Sequence, residues 1–248
     1  MNVTKLLAIE TTEKRGSIAA SLDGKVLQYN ELPDGSRSAQ SLVPAIRAVL
    51  RQLDWPVKSL HVIAVAVGPG SFTGLRVGLA TARMLAYAVG AKLIGVNTLQ
   101  AIAANACIAE TGTEGQTITT AVDAQRGEVS AQSFRLVPSR YFVREFYPDP
   151  IEDRRLLTFA AWWELANRDA DICFAGPILQ KIAAGKPEIV QLLDESLWQP
   201  HAAGVARLAW ERLYSGGSDD LLTLQPYYSR PSAAEEKKLT STGDRSPR

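Results

Sequence analysis

The chain has 248 residues, 46% hydrophobic and 21% charged, and its 27 basic and 26 acidic side chains leave a formal net charge of +1. That length holds one large domain or two ordinary ones, and the composition is that of a globular protein. A protein that grips a nucleic-acid backbone unaided carries a basic surplus, so the balance argues against autonomous RNA or DNA binding.

Met1-Asn2-Val3-Thr4-Lys5 runs directly into a strand-like segment, without the apolar core and small-residue cleavage site of a signal peptide. No apolar stretch approaches the ~20 residues that span a bilayer. The expectation is a cytoplasmic protein with no membrane contact. Cys107 and Cys173 each lie in an apolar stretch and read as buried thiols rather than a disulfide.

In chain order, Leu6 to Ile9 is a strand-length apolar run. Ser17 to Leu22 and Lys25 to Glu31 are strands joined at Asp23-Gly24, a strong hairpin signal. Asp34 to Ser38 is a polar loop. From Ser41 the spacing turns helical, with Leu42, Ile46, Val49, Leu50 and Leu53 on one face and Pro44 tolerated in the first turn. His61 to Val67 is a buried strand ending at Gly68-Pro69-Gly70, and a helix follows from Thr73 to Val89. Lys92 to Val96 is a strand and Leu99 to Ala109 a helix.

A polar break at Glu110 to Gln116 marks a boundary, after which the pattern partly restarts. Thr117 to Val122 and Val129 to Phe134 are strands around an Arg126-Gly127 turn, with Tyr141 to Phe146 a third candidate. A helix at Thr158 to Asn167, a strand at Asp171 to Ala175 and helices at Ile178 to Ala184 and Ala202 to Tyr214 complete the order. Both halves open with a strand and hairpin whose first strand ends near an acid, the shape of a duplicated ribonuclease-H-like lobe. Element order alone leaves a single doubly wound domain as the alternative. The expected division is residues 1–110 and 111–228 as two α/β lobes, with residues 229–248 a disordered tail too poor in apolar residues to fold.

The most informative segment is Gly68-Pro69-Gly70-Ser71-Phe72-Thr73-Gly74-Leu75-Arg76-Val77-Gly78. Glycines bracket a strand-to-helix turn, and Ser71 or Thr73 is placed to cap the helix. Free N–H groups there suit an anion, but no Lys completes a P-loop, so a phosphate site and a tight structural turn both remain open. In the helix, Gly74, Gly78 and Ala82 form a small-residue stripe, while apolar residues cover most of the remaining girth. Such a helix needs cover on more than one side, from within the chain or from another protein.

Glu10-Thr11-Thr12 follows the first strand and Asp123 ends the first strand of the second half, positions compatible with a vestigial nucleotide cleft. Metal chemistry is poorly supplied. His61 and His201 are the only histidines and read as structural or surface residues, and no metal-binding or hydrolase motif occurs.

With these residues in view, the chain resembles the TsaB family of tRNA threonylcarbamoyladenosine biosynthesis proteins. Leu6-Leu7-Ala8-Ile9-Glu10-Thr11-Thr12 looks like its opening strand, and Gly68 to Gly78 looks like its hallmark loop. Leu93 to Leu99, Val122 to Val129 and Gln225 to Arg230 look like later landmarks, in the right order. The resemblance implies an actin-like fold and a non-catalytic subunit with no intrinsic cofactor or metal. It implies a TsaD-like catalytic partner, a TsaE-like ATPase, tRNA met only through the complex, and ATP or ADP at the complex junction. It further implies that the first two helices build the partner interface, for which Leu42, Ile46, Val49, Gly78 and Ala82 are the candidates, and that the chain alone forms a homodimer there. Two positions depart from the family pattern: Ser38 stands where many relatives have His, and Glu10 where Asp is usual. An actin-like small-molecule kinase or ATPase is the rival reading.

Overall fold

The computed structural model describes residues 3–33, 38–167, 171–181 and 191–230. The tail expected after residue 229 lies almost wholly outside them, as do most of the Asp34 to Ser38 loop and residues 182–184 of the helix expected at Ile178.

The first sheet has the order β3-β2-β1-β4-β5, formed by Lys5–Glu10 (β1), Ser17–Leu22 (β2), Lys25–Glu31 (β3), Val62–Gly68 (β4) and Lys92–Asn97 (β5). β1 to β3 form an antiparallel meander, whereas β4 and β5 join parallel to β1. Asp23 and Gly24 both have positive φ, which closes the β2–β3 hairpin with the twist its strands need.

The second sheet repeats this plan. Its central strand is β6 (Thr117–Asp123). The antiparallel β7 (Glu128–Pro138) and β8 (Phe146–Pro150) lie on one side, and the parallel β10 (Ile172–Ala175) and β11 (Gln191–Leu192) on the other. A short β9 (Arg155–Thr158), not anticipated from the sequence, pairs with the start of β7. The chain is therefore a duplicated α/β fold of two ribonuclease-H-like sheets.

β1 is buried on both faces, and its side chains alternate between two cores as the pleat of a strand requires. Leu7 and Ile9 join one core with helices α1 (Ser38–Gln52) and α2 (Phe72–Val89). Leu6 and Ala8 join the opposite core with α3 (Thr98–Ile108) and α5 (Ala202–Tyr214). The other side of α3, through Leu99, Ile102, Ala103 and Ala106, packs on the second sheet with Trp162 and Phe174. α3 is thus a shared layer between two sheets, which explains why apolar residues surround it. α5 lies in sequence among residues 111–228 yet returns to cover the first sheet.

Four sequence expectations change. The helix expected at Ile178 is, over its described residues, a 3-10 helix at Pro177–Lys181. α1 begins at Ser38, so Pro44 sits in its second turn, where it removes the bond a residue there would donate to Gln40. Of the strand expected at Tyr141 to Phe146, Tyr141 to Glu145 form a loop that leads into β8 at Phe146, held closed because Ser139 N donates to Glu145 O at 2.8 Å. The helix expected at Thr158 is a short α4 (Phe159–Trp163) capped by Thr158 and finished by a 3-10 turn.

Candidate functional site

Ser71 is the cap of α2. Its Oγ accepts from Gly74 N at 3.3 Å, while its own N–H donates to Thr12 O at 2.7 Å. The glycines of the loop allow this close approach of α2 to the turn after β1. A Cβ on Gly74 would overlap the Thr11 carbonyl oxygen, one on Gly78 would overlap Thr11 Oγ1, and one on Gly70 would sit 2.6 Å from Thr12 Cβ. Thr11 Oγ1 donates to Gly74 O at 2.8 Å and completes the seam. Gly68 has φ +113 and lies against Tyr227 O, and the Gly68–Pro69 peptide is cis. The small-residue stripe is therefore a seam within the chain, packed on the turn after β1. Pro69, Phe72, Thr73 and Arg76 flank it.

The C-terminal segment 219–230 closes the other side of α2. Arg83 Nη2 donates to Leu224 O at 2.5 Å, and Tyr227 N donates to Val67 O at 2.6 Å. Tyr228 stacks on Phe72 with ring centroids 4.8 Å apart and accepts from Arg76 Nε at 3.1 Å. Arg230 then pairs with Glu128 of β7, and the Arg154 guanidinium lies over Tyr227, which ties this strap to the second sheet.

Glu10 is fully buried. Its Oε1 accepts from both Thr12 N and Thr12 Oγ1 at 2.5 Å, while Oε2 has no hydrogen-bond partner among the described residues. Burial pushes its carboxyl up to about 8, so it is mostly neutral at pH 7. Asp123 ion-pairs with Lys181 and accepts from Gln125 N at 2.7 Å. Between the two lies Glu13, unremarked in the sequence, whose carboxyl rises to about 7 through burial and then through the charge of Asp123. The ends of β1 and β6 thus face one another, with Glu13 and Lys181 joining the two acids anticipated there. Glu13 follows Glu10 by one helical turn's spacing, but in a bend rather than a helix, so no periodicity singled it out.

Among the described residues no group of three His, Cys, Asp or Glu side chains could hold a metal ion. His61 Nδ1 accepts from Lys5 N at 3.0 Å, and His201 stacks on Tyr29, both structural uses. The first turn of α5 is capped by Ser17 from β2, not by His201, because Ser17 Oγ accepts from Ala202 N at 2.9 Å. Cys107 and Cys173 are free buried thiols. No helix among the described residues is long and apolar enough to cross a membrane.

The interface candidates need correction. Leu42, Ile46, Val49 and Ala82 pack into the core of the first sheet, and Gly78 presses on Thr11. They are covered within the chain because each lies on the helix side that faces the sheet. The outward side of α2 instead carries Arg76, Ala80, Met84 (68% exposed) and Tyr87 (80%), and that of α1 carries Val43 (44%), Pro44 and Arg47.

Two sheets that share a five-strand topology, with the ends of their central strands facing one another, define an actin-like two-lobed protein. The solved structure "YeaZ from Pseudomonas aeruginosa" shares that fold, with a TM-score of 0.74 at 24% identity, covering 91% of this chain and 99% of that one. Residues 35–184 match the family model described as "TsaD: tRNA N6-adenosine threonylcarbamoyltransferase". The chain belongs to that family, among its TsaB members. It is 33% identical over 125 residues to the tRNA threonylcarbamoyladenosine biosynthesis protein TsaB of Escherichia coli (strain K12), covering 50% of this chain and 52% of that protein. With TsaB of Bacillus subtilis (strain 168) it is 28% identical over 173 residues, covering 69% and 70%. The match to the Escherichia coli protein thus spans about half of that relative's length.

Proposed function

We propose that the chain is the non-catalytic subunit of a cytoplasmic tRNA threonylcarbamoyladenosine complex, where it binds and supports a TsaD-like catalytic subunit together with a TsaE-like ATPase. Family membership supplies the reaction, and the geometry supports the accessory role. The observation that carries it is the outward face of α2. Met84 and Tyr87 project from a helix whose other sides are covered by the sheet, the turn after β1 and the 219–230 strap. Exposed apolar side chains of this kind mark interfaces. With Val43 of α1 they form half of a helical bundle that a partner's helices complete. A second copy of the chain would use the same face when the partner is absent, giving a homodimer.

The facing ends of β1 and β6 support the same reading. A buried, neutral Glu10 lacks the charge that would help hold a metal–phosphate group. A nucleotide, where the complex uses one, then sits at the junction between subunits, and tRNA reaches this chain only within the assembly. The test is threonylcarbamoylation of tRNA by the TsaD-like and TsaE-like proteins, with and without this chain. Modification that needs the chain, with no transfer by the chain alone, supports the reading; modification at full rate without it refutes it.

A further inference from the structure

The loop between β7 and β8 is built as a rigid platform on α5. Ser139 Oγ accepts from Tyr141 N at 3.2 Å and Phe142 N at 3.0 Å, and donates to the Glu211 carboxylate. Phe142 turns inward, with the Arg207 guanidinium 3.3 Å from its ring centre, and a Cβ on Gly24 would overlap it. The loop is therefore pinned to α5 and to the β2–β3 hairpin together.

What it turns outward is unusual. Arg140, Tyr141 (38% exposed), Val143 (89%) and Arg144 face solvent, beside Tyr214 (47%) at the end of α5. The Tyr141 and Tyr214 rings lie 5.7 Å apart, and Tyr214 stacks on Trp210 at 4.2 Å. Neither arginine has an ion-pair partner among the described residues, nor does Lys25 beside Gly24. Of the nearby acids, Glu145 and Glu211 face Arg207 rather than these cations, and Asp23 accepts from Thr4 N while keeping its charge. Three cations without an ion-pair partner among the described residues thus stand around an exposed aromatic pair.

We infer that this surface contacts RNA, with Arg140, Arg144 and Lys25 on backbone phosphates and Tyr141 and Tyr214 stacking an unpaired base. Cations alone would suit any polyanion, but rigid exposed rings beside them fit a single-stranded or loop segment, whose bases are free to stack. The identity of the RNA as tRNA rests on the proposed function. A patch this small binds weakly alone and acts as a second contact on an RNA held mainly by the partner subunit.

The test is fluorescence anisotropy with labelled tRNA, for the isolated chain at low salt and for the reconstituted complex. Doubly substituted Arg140→Ala/Arg144→Ala should weaken binding about tenfold and lower the slope of log affinity against log salt by roughly 1 to 2. Tyr141→Ala should cost about tenfold, whereas Tyr141→Phe, which keeps the ring, should bind as wild type. Urea unfolding of each variant checks that the platform is intact. Unchanged tRNA affinity in both settings overturns the inference, as does loss of binding to the TsaD-like or TsaE-like protein with tRNA affinity intact, which would make the surface a protein site. If the chain neither assembles nor supports modification, the functional reading fails, and binding of a labelled unpaired RNA oligonucleotide to the isolated chain at low salt, weakened by Arg140→Ala/Arg144→Ala, still decides this one.

Discussion

Glu10 makes the stability of the protein depend on pH in a direction opposite to that of a salt-bridged carboxylate. Its carboxyl titrates at about 8 in the fold against 4.5 as a free group, chiefly because burial disfavours the anion. Between these values the folded chain holds a proton that the unfolded chain has released, so stability is fully present below about 4.5 and falls as pH rises to about 8. At about 1.4 kcal/mol per pH unit the loss across that interval is about 5 kcal/mol, less whatever water entering the site returns to the anion. Glu10→Gln keeps an acceptor for Thr12 N and Oγ1 and cannot ionise. Glu13, which titrates near 7, is present in both proteins and cancels to first order in their difference. Urea unfolding from pH 5 to 9 should therefore find the two proteins within about 1 kcal/mol at pH 5, with the variant more stable by at least ~2 kcal/mol at pH 8.5. Curves that run parallel across the range would refute the assignment of a buried, neutral Glu10.

Other outcomes follow from the same contacts. Gly74→Ala should destabilise by about 3 kcal/mol or more in urea, since its methyl would overlap Thr11 O, whereas Gly90→Ala, at φ +69 with open space around it, should cost only about 1 kcal/mol. Met84→Glu or Tyr87→Glu should leave the circular dichroism and melting temperature unchanged yet abolish co-purification with the TsaD-like subunit, while Leu42→Glu should simply unfold the chain. Deleting residues 231–248 should leave the melting temperature within about a degree, but deleting residues 225–248 should lower it by several degrees through loss of the Tyr227, Tyr228 and Arg230 contacts.

How much of this was legible in the sequence differs by residue for physical reasons. The spacing of Leu42, Ile46 and Val49 reports that they share a face, and the structure agrees, but periodicity carries no information on what covers that face. The same limit applies to α2. Its wide apolar girth is correctly read as a demand for more than one cover, but one cover is the strap at Leu221 and Leu224, more than 130 positions away, and the stripe of Gly74, Gly78 and Ala82 serves the chain's own β1 turn and core. At the glycine loop, the contacts of Thr11 and Thr12 account for Gly70, Gly74 and Gly78 through close packing that spacing alone does not reveal. Tyr141 to Phe146 has strand-like composition, yet Ser139 and the seat of Phe142 on Arg207 hold Tyr141 to Glu145 as a loop, through side-chain bonds that no propensity anticipates. The duplicated sheet order was readable in outline without any sequence repeat, because matching topologies require only matching strand lengths, hairpins and crossovers. What the two halves need not share is their packing, so α3 can serve both sheets at once and α5 can return to the first, joining the lobes through helices as well as at the facing strand ends.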